Sequence, residues 1–200
     1  MTDTKTMSRW IFRATLIVAI GSLVAMAGLG RWGDIVPFAL LIALCVGARS
    51  ADVPARFAAA FAVFMLLATW GKVGGWYEAI GWFDFAVHFV APGALAAVAY
   101  FVAVQLGLFP DARHLAGTLR PSAVVAWVTA NGCFWIIVWE YYEWVVEQFA
   151  PEGMIVGYTD TIGDLLAGMI GSAVAGLFVL QWARRQDPIK EKSAASRGHP

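Results

Sequence analysis

Three apolar stretches of this chain each carry a pair of ionisable residues at helical spacing: Asp84 with His88, Glu140 with Glu143, and Asp160 with Asp164. Residues three or four apart share one face of a helix, so each pair projects as a unit. Ionisable groups inside segments able to cross a bilayer are costly to bury and usually mark a substrate, ion or proton site. Carboxylates joined by one imidazole form a donor set suited to a hard or borderline divalent metal ion such as Mg²⁺, Mn²⁺, Ca²⁺, Fe²⁺ or Zn²⁺. The candidate ligands are Asp84, His88, Glu140, Glu143, Asp160 and Asp164, and Glu140 is also the candidate general base. The Glu-x-x-His spacing of ferritin-like dinuclear bundles is absent from this set.

Each residue also has a structural explanation when taken singly. Asp84 and Asp160 stand near helix N-termini, where an acid favourably meets the helix dipole. His88 alone reads as a hydrogen-bonded bundle residue, and Glu147 and Glu152 read as facing water. Glu140, Glu143 and Asp164 lie deeper and resist that explanation. Charge balance sharpens the point, because a group of carboxylates in a low-dielectric site cannot all ionise without compensation. Only Arg31 and Lys72 lie at a comparable level of the chain.

Other polar residues carry less. Asn131 lies on nearly the opposite face of its helix from Glu140, and interhelical hydrogen bonding accounts for it. His114 and His199 have no partner at ligand spacing. Cys45 and Cys133 lie in apolar runs without metal or redox spacing and read as buried free thiols. Ser22 and Ser172 lack the context of a hydrolase nucleophile, and no glycine loop for phosphate is present.

The elements that must position the pairs follow from hydropathy. Of 200 residues, 60% are hydrophobic and 14% charged, well below the roughly 25% charged of a soluble domain. Six spans approach or exceed the roughly 20 residues that cross a bilayer: about 10–30, 33–48, 57–76, 82–109, 122–147 and 160–183. The expected fold is therefore an all-α, polytopic bundle of six transmembrane helices. Residues 1–9 form a cytoplasmic N-terminus, 10–183 the membrane domain, and 184–200 a disordered cytoplasmic tail. The fourth and fifth spans are long enough to tilt. Lys5, Arg9 and Arg13 precede an apolar run that ends in Ala25-Met26-Ala27, a cleavage-like pattern, but a retained first helix is the preferred reading.

With the N-terminus inside, all 14 basic residues except Arg31 and Lys72 fall on the cytoplasmic side, as the positive-inside rule requires. Both termini are thus placed inside, in a plasma membrane. The acids gather toward the outer side, level with a belt of Trp76, Trp82, Trp139 and Trp144. A net charge of zero argues against a nucleic-acid partner; the lipid bilayer is the expected one. On the sixth span, Gly168, Ser172 and Gly176 form one small-residue stripe and Ala167, Gly171 and Ala175 another, both suited to close helix packing. Pro92 removes the hydrogen bond to the carbonyl of His88 and is expected to kink the fourth span there.

At about 1.5 Å per residue, His88 and Asp164 sit one turn beyond Asp84 and Asp160, and Glu140 lies about two turns from the outer end of its helix. The depths agree, so a carboxylate-rich cluster with one imidazole is expected just beneath the outer surface.

The strings Phe83-Asp84-x3-His88-Phe89, Trp139-Glu140-x2-Glu143-Trp144 and Gly157-Tyr158-Thr159-Asp160-Thr161-x2-Asp164-Leu165, the last followed by Gly168 and Gly171, resemble the YjdF-like family of small bacterial inner-membrane proteins. The resemblance covers about residues 76–180. It implies a membrane bundle in which Asp84, His88, Glu140, Glu143, Asp160 and Asp164 are the family's polar positions, and it names no substrate. The leading functional expectation is a metal-assisted membrane enzyme acting on a lipid or envelope substrate. The alternatives are a cation or proton transporter using the same carboxylates, and an accessory subunit whose acids bind a partner protein.

Overall fold

The computed structural model describes residues 2–114, 120–149 and 157–186. Glu152, His199 and the tail beyond Gln186 lie outside the described residues, as does the side chain of His114. The described elements are α1 (Thr2–Gly28), α2 (Trp32–Ser50), α3 (Ala55–Val73), the single turn α4 (Trp76–Ala79), α5 (Phe83–Gln105), α6 (Ser122–Phe149) and α7 (Tyr158–Arg185). A 3-10 turn at Ala112–His114 interrupts the α5–α6 connection. All but α4 are long and apolar enough to cross a membrane.

Helix boundaries depart from the hydropathy reading where glycine chemistry intervenes. The fourth span was expected to reach residue 109, but α5 stops at Gln105 because Gly107 takes a left-handed conformation with φ 70°. Leu108 N–H then donates to the Ala103 carbonyl at 2.8 Å and Gly107 N–H to Val104 at 3.1 Å. This is a Schellman cap, which closes the orphan carbonyls and turns the chain. Hydropathy could not register it, since Leu108 and Phe109 are as apolar as the helix before them. Likewise α3 ends at Val73, before Gly74-Gly75, and Trp76 belongs to α4. The longest helices are α6 and α7, at 28 residues each.

Two groups of three helices make the bundle. Helices α1, α2 and α3 pack together, α5, α6 and α7 pack together more extensively, and α3 joins the groups by lying on α5. Trp70 Nε1 on α3 donates to Ser22 Oγ on α1 at 3.1 Å, giving Ser22 a packing role. Near the C-terminal end of α5, Tyr100 is fully buried and receives the backbone N–H of Ala112 at 2.8 Å.

The two small-residue stripes of α7 serve different neighbours. Gly168, Ser172 and Gly176 face α6, against Ile136, Gly132 and Val125 respectively. Gly171 and Ala175 face α5, where the Gly171 backbone lies directly against the Phe89 carbonyl and both residues crowd Gly93. Gly168 also approaches the His88 carbonyl, the group that Pro92 deprives of its helical donor. Any side chain at Gly171 would overlap the Phe89 carbonyl oxygen, and backbone cannot yield as a flexible side chain can.

Gly171→Ala is therefore expected to lower stability in detergent by about 1–3 kcal/mol. Gly163→Ala, where a Cβ meets nothing within 4 Å, should be neutral or slightly stabilising through helix propensity. Thermal or denaturant unfolding of the two variants beside the wild type measures the difference.

Candidate functional site

The site lies where α5, α6 and α7 meet, in the halves of those helices nearest the α6–α7 connection. Asp84 and His88 occupy the first turns of α5, Asp160 and Asp164 those of α7, and Glu140 and Glu143 the last third of α6. Because α6 runs antiparallel to its two neighbours, its late residues meet their early ones. The close α7 packing described above then draws the three faces onto one another.

His88 is the hub. It is 3% exposed, and its two ring nitrogens face different partners. Nε2 lies 3.3 Å from Asp84 Oδ1, while Nδ1 lies 3.5 Å from Glu140 Oε1 and 3.6 Å from Asp164 Oδ1. Asp164 is 4% exposed. The separations on the Nδ1 side exceed hydrogen-bond length, and both His88 Nδ1 and Glu140 Oε1 are buried without a hydrogen-bond partner. Two facing buried acceptor-capable atoms of this kind call for a proton or a cation between them.

The structure brings five of the six expected residues within ligand reach. Ligand atoms of Asp84, His88 and Asp164 all lie within 4.8 Å of one another, and so do those of His88, Glu140 and Glu143. Two ligands of one ion can stand no farther apart than twice a metal–ligand bond, about 4.0–5.2 Å for bonds of roughly 2.0–2.6 Å, and the 4.8 Å limit of both groups lies inside that range. Asp160 is the exception. It interacts electrostatically with Asp84 and His88 but belongs to neither group of ligand distance, and it lies half-buried one turn nearer the helix end.

Several neighbours were not read as part of the site. Trp139, taken for a belt residue, donates Nε1–H to Glu143 Oε1 at 2.7 Å and so holds that carboxylate in place. The Thr161 hydroxyl faces the Glu140 carboxylate; its position beside Asp160 in the Asp-Thr string was the available signal. Tyr77 in α4 packs edge-on against Phe83 with centroids 5.1 Å apart. Burial pushes its phenol above the usual value, and the nearby charges of Asp84 and Glu143 push it further. Only the fold could place it there, since α4 follows two glycines and carries no motif.

Basic groups are not shared with this cluster among the described residues. Arg31 Nε donates instead to Asp34 Oδ2 at 2.7 Å, so it forms a local pair at the head of α2. Asn131 accepts from Trp135 Nε1 at 3.1 Å within its own helix, correcting the expected interhelical bond. Cys45 and Cys133 are free thiols. Beyond the cluster, the junction of α5, α6 and α7 closes over Gly132, Ser172, Val124, Val128 and Val179, all buried.

Among the described residues, His88 is thus the one basic side chain facing these buried acids. In chelator-treated protein, His88→Leu is expected to cost about 3–5 kcal/mol, the usual penalty for orphaning a buried charge. Combining it with Asp164→Leu should cost less than the sum of the single changes by about 0.5–3 kcal/mol. Strict additivity in a double-mutant unfolding cycle would show that the two side chains do not interact.

A family model described as "Predicted membrane protein (DUF2238)" matches residues 7–185, which span all six apolar helices. No curated protein and no solved structure matches significantly.

Proposed function

The chain belongs to the DUF2238 family of predicted membrane proteins, and we propose that its working part is a divalent-cation site built on His88 within a multi-pass bundle. The observation that carries this reading is the pair of buried, unpartnered atoms His88 Nδ1 and Glu140 Oε1, facing each other at 3.5 Å with Asp164 alongside. In this reading Nδ1, Glu140 and Glu143, whose ligand atoms lie within 4.8 Å of one another, hold the ion, and Asp164 stands 3.6 Å from the same nitrogen. Asp84 takes a different part from the one its spacing implied. It receives the Nε2–H of His88, fixing the tautomer and ring orientation as carboxylates commonly do behind a ligating histidine. Asp160 and Thr161 stand at the rim, nearest the polar end of the bundle.

A bound divalent ion would supply Lewis-acid charge stabilisation to such a pocket. The chain's own residues would do the rest. Glu140 faces the ring nitrogen and is better employed as a ligand than as a free base. Glu143 is anchored through Oε1 by Trp139, which leaves Oε2 to face the ion. A metal-assisted enzyme acting on a lipid or envelope substrate is the function this arrangement supports best. The distribution of basic residues favours cytoplasmic termini and a site opening toward the outer face of a bacterial inner membrane. The narrower kinship with YjdF-like proteins rests on the three polar strings and agrees with that placement.

A transport role needs polar continuity across the bundle. The buried valines beneath the cluster offer none among the described residues, so transport is the weaker reading.

Elemental analysis of detergent-purified protein, prepared without chelators, tests the proposal. The wild type should hold about one divalent ion per chain, and Glu147→Ala should hold the same. Glu140→Ala/Asp164→Ala should lose the ion while retaining helical content by circular dichroism. A folded wild type without metal, under conditions that offer Mg²⁺, Mn²⁺, Ca²⁺, Fe²⁺ and Zn²⁺ in turn, would overturn it.

A further inference from the structure

On the far side of α5 from His88, helices α3 and α7 both pack against α5 but scarcely against each other. The cleft between them is a cavity of about 370 Å³, within the roughly 300–1,000 Å³ of small-molecule pockets. Gly93, Ala94 and Ala97 of α5 form its floor, with aromatic side chains from α3 and α7 as walls. Along α7 it runs from Gly171 to Gln181, ten residues or about 15 Å of helix. That is half of a hydrocarbon core roughly 30 Å thick, the depth of one leaflet.

The two ends of the cleft differ. Its inner end, at Phe89 and Gly171, is apolar, whereas Arg56 and Gln181 stand at its mouth. Arg56 is exposed, with its guanidinium 5.0 Å from the Phe57 ring centroid and 5.8 Å from that of Trp182. Arg113 also approaches the same tryptophan, at 5.5 Å, but its charge is already engaged by Asp111. Arg185 adds a further positive charge near Arg56. Among the described residues no carboxylate forms an ion pair with Arg56.

We infer that this cleft holds one acyl chain of an anionic phospholipid, with the phosphate of its headgroup paired to Arg56. An apolar slot one leaflet deep fits a single hydrocarbon chain. The unpaired guanidinium, held against two aromatic rings at the mouth, fits the anion such a chain carries at that depth. Basic pockets between membrane helices recognise anionic headgroups in this way. The site is separate from the His88 cluster, which faces α6 and α7 across the Phe89–Gly171 contact, and does not depend on metal at that cluster.

Native mass spectrometry of the full chain in detergent, titrated with phosphatidylglycerol or with phosphatidylcholine of the same acyl chains, tests the assignment. The wild type should retain phosphatidylglycerol about five-fold better, the preference expected of one basic residue near the headgroup. Arg56→Gln should abolish that preference and Arg56→Lys should keep it. Ala60→Phe, which fills the cleft and leaves the charge, should reduce retention of both lipids. Equal retention of the two lipids by the wild type would overturn the inference. So would a preference that survives Arg56→Gln, or a stable dimer or stoichiometric bound protein occupying the cleft.

Discussion

The backbone of α7 can lie against the backbone of α5 only because Gly171 has no side chain, and the polar centre depends on that approach. In lipid there is no hydrophobic drive between helices, so close van der Waals packing has to hold them. The contact is made by Phe89, the residue next to His88. It places Gly168 under the His88 carbonyl and brings Asp164 onto the imidazole. The second stripe of α7 does the same toward α6, where Gly132 receives Ser172 and Ile136 covers Gly168. Two stripes offset by one residue let a single helix meet two neighbours closely, and their meeting line is where the acids converge.

Burial then gives the cluster its chemical character. Carboxylates near the surface of a soluble protein would be solvated or paired with lysine and arginine. Here Arg31 is committed to Asp34, and among the described residues the ion pairs of the buried acids run to one imidazole, that of His88. A buried ring nitrogen and a buried carboxylate oxygen without partners are costly, and an arrangement that leaves both facing one point is compensated only when something cationic sits between them. The same logic, at the opposite end of the bundle, applies to Arg56 and an anion. In both places a local charge imbalance, rather than a recognisable motif, is the ground of the proposal.

Much of this was legible in the residues themselves. Hydropathy located six helices, and the three- and four-residue spacings identified the polar faces. Counting residues to the helix ends put those faces at one depth. The failures are equally specific. The end of α5 was misplaced because a Schellman turn at Gly107 depends on backbone conformation and not on polarity. Asn131 was assigned to the wrong partner because an i, i+4 bond to Trp135 satisfies it inside its own helix. The bond from Trp139 to Glu143 adds a contact that the belt reading of this tryptophan leaves out.

By itself, then, the sequence determined an all-helical, multi-pass protein with three polar helix faces at one level, because helical periodicity and apolar length are local properties. Tertiary structure alone decided that the faces converge on His88, that Asp84 and Glu140 meet opposite sides of its ring, and that Asp160 stays at the edge. Those facts depend on the rotation of each helix about its axis, which is set by contacts between residues far apart in the chain. The cleft at Arg56 belongs to the same class, since a groove exists only where two helices flank a third and meet each other little.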